Sequence, residues 1–88
     1  MTNTEMLLTA KQLVLNHINA NRPAQYVPFD LDDVYIVWFC KTIQNWKALV
    51  STDVVDGVYY EVTHNGDQNE TYVDVYHRSQ HIVVGDEE

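Results

Sequence analysis

The spacing of apolar residues near the start of the chain predicts an amphipathic helix. Thr2 and the glutamate three positions later have the spacing of a capping box, in which both side chains bond to free backbone groups of the first turn. The apolar face consists of Leu7, Ala10, Val14 and Ile18, with Met6, Leu13 and His17 beside them. These positions recur every three or four residues, as a helical face requires. Because Pro23 cannot continue a helix and also restricts Arg22, we predict that the helix ends between Asn19 and Pro23.

Shorter segments rich in aromatic and β-branched residues follow, and such segments are typical of strands. They are Val34–Lys41, Trp46–Thr52, Val58–Thr63 and Glu70–His77, with a short further strand predicted at His81–Val84. The dipeptides Asp56-Gly57 and Asn65-Gly66 between them are turn signals. The pattern therefore predicts an α+β fold, with one N-terminal amphipathic helix packed on a three- to four-stranded antiparallel sheet. Residues 1–84 are predicted to form a single domain, and residues 85–88 an acidic C-terminal tail.

The connection between the helix and the sheet combines turn-forming and apolar residues. Asp30 is placed to cap a short helical turn that leads into Val34. Four side chains of the connection are expected to attach it to the core, namely Tyr26, Val27, Phe29 and Leu31.

The first two predicted strands are apolar on both faces, although one helix can cover only one face of a sheet. A four-residue loop from Thr42 to Asn45 determines which residues lie opposite each other. If no bulge intervenes, the predicted pairs are Lys41–Trp46, Phe39–Ala48 and Val37–Val50, with Trp38 beside Leu49. We expect Trp38 and Leu49 to pack against the apolar face of the helix, because the widest apolar stripe needs a comparably apolar partner.

The other face of these strands is then the candidate partner-binding surface. The residues predicted to form it are Tyr35, Phe39, Lys41, Asn45, Trp46 and Lys47. Aromatic side chains beside cations and an amide are typical of protein interfaces. Alternatively, the connecting segment and nearby tyrosines close this face within the monomer.

Composition and charge narrow the range of functions. The chain has 88 residues, 45% of them hydrophobic, and a formal net charge of −8. This charge repels the phosphates of nucleic acids and anionic membrane surfaces. It either keeps the protein soluble or complements a basic, nucleic-acid-binding partner. A single cysteine, the lack of a signal-peptide pattern and the lack of a long apolar run favour a cytoplasmic location.

Residues that could carry chemistry are few and scattered. Cys40 lies in the middle of an apolar strand without a nearby base, so we interpret it as a buried structural cysteine. His77 and His81 have a spacing that could bind zinc on a helix, but here it crosses a predicted strand end. Asp67 and Glu70 are expected to be exposed loop acids. The sequence therefore predicts no catalytic residues, no metal site and no cofactor, and the protein is not expected to be an enzyme.

Aromatic residues on the predicted strands allow two interpretations. The strand tyrosines are Tyr35, Tyr59, Tyr60, Tyr72 and Tyr76. Aromatic sheet faces stack nucleobases in some single-strand-binding modules, but those modules also line the face with cations. Here the strands carry Glu61 and Asp74, so cross-strand aromatic packing is the interpretation that we favour.

The segments "VYIVWFCKTIQNWKALVST" and "DGVYYEVTHNGD" carry a family resemblance. Over residues 31–76, the chain resembles a functionally uncharacterised family of small phage and prophage proteins from lactic-acid bacteria and related Gram-positive hosts. The blocks Trp38–Lys41 and Gln44–Lys47 carry most of the likeness. The resemblance implies a phage accessory protein made in the host cytoplasm, and it brings no active site.

Two functions follow as hypotheses. The first is a non-catalytic phage accessory protein that acts through protein–protein interaction, modulating a host or phage nucleic-acid-handling or defence protein. The second is a nucleic-acid-binding accessory factor that uses an aromatic sheet face with Lys41 and Lys47. The expected partner is another protein or a second copy of the chain, with direct nucleic-acid binding disfavoured and no membrane or small-molecule substrate evident.

Overall fold

The computed structural model describes residues 2–85, beginning with the helix α1 at Asn3–Ala20. Thr2 caps α1 as the capping-box spacing predicts. Its hydroxyl accepts a bond from the Glu5 amide at 3.1 Å, and the Glu5 carboxylate accepts one from the Thr2 amide at 3.1 Å. Asn21 follows the last helical residue and ends the helix within the predicted range. The N-terminal helix is thus confirmed.

The connection is attached to the core more weakly than the sequence predicts. Asp30 caps a short 3₁₀ helix at Leu31–Asp33, as expected. The side-chain amide of Asn19 fixes Phe29 by accepting from its backbone N–H at 2.8 Å and donating to its carbonyl at 3.0 Å. Tyr26 and Val27, however, are 54% and 81% exposed, so the expectation that they pack into the core is wrong. Phe29 does pack against the core as expected, and its hydrogen bonds with Asn19 hold the segment there.

The strands form one antiparallel meander in which each strand pairs with its neighbours in sequence. They are β1 at Val34–Thr42, β2 at Asn45–Thr52, β3 at Val58–Asn65 and β4 at Glu70–His77, in the order β1-β2-β3-β4. With α1, they confirm the predicted α+β fold. The predicted strand at His81–Val84 is wrong, because this segment has no regular structure. Of the predicted acidic tail at 85–88, residues 86–88 lie outside the described part of the chain.

The pairing of β1 with β2 contains a bulge that decides which face each residue occupies. The predicted pairs Lys41–Trp46, Phe39–Ala48 and Trp38–Leu49 are all present. Val50, however, lies opposite Ile36 rather than Val37, so Val37 is an extra residue in β1. The bulge shifts the alternation of side chains by one position, because an inserted residue reverses the face of everything beyond it.

The core lies between α1 and one face of the sheet. Its buried residues are Met6, Ala10, Val14 and Ile18 of α1, Val34 of β1, Trp46, Ala48 and Val50 of β2, and Tyr60 and Val62 of β3. Trp46 is only 3% exposed, with Phe39 and His64 against its ring at 6.1 and 5.5 Å between centroids. The predicted packing of Trp38 and Leu49 against the helix is wrong. Both residues lie on the face away from α1, because the extra residue Val37 separates Trp38 from the face of Ile36.

Candidate interaction surface

The sheet face opposite α1, here called the outer face, is the candidate functional site. Side chains alternate along each strand, so the neighbours of the buried residues in sequence and register define this face. Its members are Tyr35, Trp38 and Cys40 of β1, Lys47, Leu49 and Ser51 of β2, Tyr59, Glu61 and Thr63 of β3, and Tyr72, Asp74 and Tyr76 of β4. No element within residues 2–85 packs over it.

Large aromatic side chains are distributed over the outer face and remain half-exposed. Those of Tyr35, Trp38, Tyr59, Tyr72 and Tyr76 are between 39% and 45% exposed. Tyr59 and Tyr76 lie directly opposite each other and stack with 5.1 Å between their ring centroids. This confirms cross-strand tyrosine packing, yet the packing leaves much of each ring in contact with solvent. Exposed aromatic surface of this kind marks interaction sites in soluble proteins.

Charged residues occupy the middle of the outer face. Leu49 lies opposite Glu61, and Glu61 lies opposite Asp74 on the next strand. Lys47 forms an ion pair with Glu61, with 3.2 Å between Nζ and Oε1. The two adjacent carboxylates, Glu61 and Asp74, are here called the acidic pair. Like charges directly opposite each other destabilise a strand pair, so the acidic pair is a feature that folding does not favour.

The acidic pair and Glu70 influence the neighbouring phenols. The negative charges of Glu61, first, and of Asp74 raise the pKa of Tyr76 above its ordinary value of 10.0, since ionisation would add a further negative charge nearby. The hydroxyl of Tyr72 donates to the Glu70 carboxylate at 2.5 Å, and this bond is the main cause of the raised pKa of Tyr72. Both phenols therefore stay protonated hydrogen-bond donors beyond their usual range.

A shallow depression of about 350 Å³ lies where the outer face meets the hairpin turns. Its lining includes Cys40, Lys47, Thr63 and Tyr72. Cys40 is exposed, so the interpretation of a buried structural cysteine is wrong. The cause is the same bulge, which turns Cys40 toward the outer face opposite Lys47. The depression gives the outer face a concave area beside Tyr72.

The structure does not place the predicted partner-binding residues on one surface. Tyr35 and Lys47 lie on the outer face. Phe39, Lys41 and Trp46 lie on the face toward α1, with Phe39 packed against the core and Trp46 buried within it. The predicted common surface of these residues is therefore wrong.

The sixth predicted residue, Asn45, lies at the hairpin end and joins the two hairpins. Its side-chain oxygen accepts a bond from the Gly66 amide at 2.8 Å. A Cβ at position 66 would collide with the backbone carbonyl of Gln44, so glycine is required for this close approach. Asn45 thus has a structural contact as well as a place in the lining of the depression.

The predicted partner-binding surface left out several residues that the structure places on the outer face. They are Trp38, Tyr59, Glu61, Tyr72, Asp74 and Tyr76. The signal that could have found the β3 and β4 members is the alternation of tyrosines and acids along both strands. Because the hairpin register follows from the Asn65-Gly66 turn, these residues could have been aligned in advance.

The other groups considered for chemistry do not form a centre in the described residues. His64 stacks on Trp46 and bonds to the Thr71 hydroxyl at 2.8 Å, while His81 lies in the irregular segment after β4. Asp67 accepts a hydrogen bond from the side chain of Gln44. Within residues 2–85, no group of three His, Cys, Asp or Glu side chains is arranged to hold a metal ion. The same part of the chain has no helix with the length and apolar character needed to cross a membrane.

Comparisons with known proteins give a family and no function. No curated protein and no solved structure matches the chain. A family model described as "Family of unknown function (DUF6275)" matches residues 7–86, which include all four strands and most of α1. The chain therefore belongs to the DUF6275 family of unknown function.

Proposed function

We propose that the protein is a non-catalytic accessory protein that acts by binding another protein through the outer face. The observation that carries the proposal is the set of half-exposed aromatic rings on this face, from Tyr35 and Trp38 on β1 to Tyr72 and Tyr76 on β4. Tyrosine and tryptophan are enriched at protein interfaces and among the few residues that dominate their binding energy. A sheet covered by one helix has this second face available for a partner.

The phage resemblance and the net charge of −8 narrow the kind of partner. Proteins that handle nucleic acids carry basic surfaces, and an acidic protein is attracted to such surfaces. We propose a phage-encoded protein that is made in the host cytoplasm and modulates a host or phage protein of this class, in nucleic-acid handling or in defence.

Direct nucleic-acid binding, the alternative hypothesis, has less support from the geometry. It needs Lys41 and Lys47 beside the same aromatic rings. The two lysines lie on opposite faces of the sheet, and Lys47 is engaged by Glu61. The acidic pair adds negative charge where a phosphate backbone would pass. These features favour a protein partner for the outer face.

The test is capture of partners from host and phage-infected cells by tagged wild-type protein and by two variants. Trp38→Ala with Tyr59→Ala removes aromatic surface from the outer face. Leu8→Ala is the matched control, since Leu8 is also exposed, at 50%, but lies on the helix. We expect a protein retained by the wild type and by Leu8→Ala to be lost by the outer-face variant at unchanged secondary structure. Equal retention by all three proteins would contradict the proposal, as would capture of nucleic acid in its place.

A further inference from the structure

The acidic pair lies among aromatic rings, and only one of its two charges is balanced by a cation. Glu61 and Asp74 are directly opposite each other, and the adjacent cation, Lys47, forms an ion pair with Glu61. Among residues 2–85, Asp74 has no salt bridge. The centre of the outer face therefore keeps a net negative charge that costs stability in the free protein.

Tyrosine rings flank the acidic pair on its own strands. Tyr59 lies two positions before Glu61 on β3, Tyr76 lies two positions after Asp74 on β4, and the two rings stack. Tyr72 lies on the other side of Asp74. The faces of aromatic rings attract cations, and carboxylates beside them add a direct charge interaction. The raised pKa of Tyr76 is consistent with a negative potential that extends over these rings.

A guanidinium group fits this combination better than other common protein groups. It donates parallel hydrogen bonds to carboxylates and stacks its planar surface on aromatic rings. We propose that the outer face binds an arginine-bearing segment of a partner protein, with an arginine side chain between the acidic pair and the Tyr59 and Tyr76 rings. The inference rests on the proposed function, because it names the chemistry of the partner that the outer face takes. The bound arginine removes the repulsion between Glu61 and Asp74 that destabilises the free protein. This gain contributes part of the binding free energy.

The direct test uses a terminally blocked peptide of alternating arginine and valine, with a citrulline version as the uncharged control. Binding is measured by titration calorimetry with wild-type protein, Asp74→Asn and Asp53→Asn. Asp53 is exposed in the β2–β3 connection, outside the four strands, so its variant removes the same charge without changing the acidic pair. We expect the arginine peptide to bind about tenfold more weakly to Asp74→Asn, because one charged hydrogen bond is lost, and equally well to wild type and Asp53→Asn. The citrulline peptide should not bind measurably.

Other results would overturn the inference. If Asp53→Asn and Asp74→Asn weaken binding of the arginine peptide equally, the peptide is attracted only by the overall charge of the protein. If the citrulline peptide binds as tightly as the arginine peptide, the positive charge of arginine is not recognised. The variants also separate this inference from the proposed function. If cellular partner capture is lost with Trp38→Ala and Tyr59→Ala but kept with Asp74→Asn, the outer face is an interface and the arginine site is wrong. If neither variant changes capture, both proposals fail.

Discussion

The two tryptophans of the chain lie on the same hairpin and have opposite surroundings. Trp46 on β2 is 3% exposed beneath α1, whereas Trp38 on β1 is 41% exposed on the outer face. Both belong to segments of similar apolar composition, so composition does not separate them. The pairs from Trp38–Leu49 to Lys41–Trp46 form one unbroken register, which places the two indoles on opposite faces. The extra residue Val37 then puts Val34 and Ile36 on the face of Trp46 rather than on that of Trp38. One face of the sheet thereby became core, and the other kept large aromatic rings in contact with solvent.

The comparison is tested most strongly by removing each indole. Trp46→Ala should lower the free energy of unfolding by about 3–5 kcal/mol, because it opens a cavity in the core. Trp38→Ala should cost about 1 kcal/mol or less, since much of its ring is already hydrated. Urea denaturation followed by circular dichroism measures both. Equal losses in the two variants would mean that both rings are packed in a core.

Deleting Val37 tests the bulge itself. Without Val37, Trp38 directly follows Ile36, and the two side chains point to opposite faces as in a regular strand. Every residue from Trp38 onward then stays on the face that it occupies in the wild type. We therefore expect a folded protein that loses about 1 kcal/mol of stability and keeps the fluorescence of a solvent-exposed Trp38. If the chain alternated regularly through Val37, the deletion would instead turn Trp38 and Phe39 to the wrong faces. Loss of cooperative unfolding in the deletion variant would contradict the observed register.

The sequence predicts more of the fold than of the site, for a reason visible in β1. Cap spacing, helical period and turn dipeptides act over a few residues, so α1 and the bounds of β4 are predicted accurately. Three of the four β1–β2 pairs are also correct. A bulge has no comparable local signal here, because Val37 is as suited to a strand as its neighbours. Since one unrecognised residue reverses a face, the candidate surface placed Tyr35 beside the buried Trp46.

The outer face should also differ from the core in how it responds to loss of charge. Asp74→Asn removes the repulsion with Glu61 and should raise the free energy of unfolding by about 0.2–1 kcal/mol. Asp53→Asn should change it by less, because Asp53 has no carboxylate opposite it in the sheet. The gain should shrink at high salt, which screens exposed charges. A loss of stability in Asp74→Asn would show that the acidic pair is a favourable contact rather than a site that folding disfavours.

The smallest expected effect concerns the ionisation of the tyrosines. The pKa of Tyr60 is raised by burial in the core, and that of Tyr76 by the charges of Glu61 and Asp74 on the outer face. As the pH rises past 10.0, the ordinary tyrosine value, the unfolded chain loses these protons before the folded chain does. The stability from both groups is therefore complete below that pH and is lost as the pH rises through their folded pKa values.

The two tyrosines should respond differently when the acidic pair is changed, because the causes of their shifts differ. In Glu61→Gln, the pKa of Tyr76 should fall toward its ordinary value, with a smaller fall in Asp74→Asn, since Glu61 has the larger influence. The pKa of Tyr60 should stay raised in both variants, because its cause is desolvation beneath α1. Carbon-13 NMR of the tyrosine rings across an alkaline titration resolves the two groups. A fall in the pKa of Tyr60 together with that of Tyr76 would mean that the variants loosen the whole sheet. An unchanged Tyr76 would mean that the acidic pair does not act on the outer-face rings, and the cation site proposed there would lose its electrostatic support.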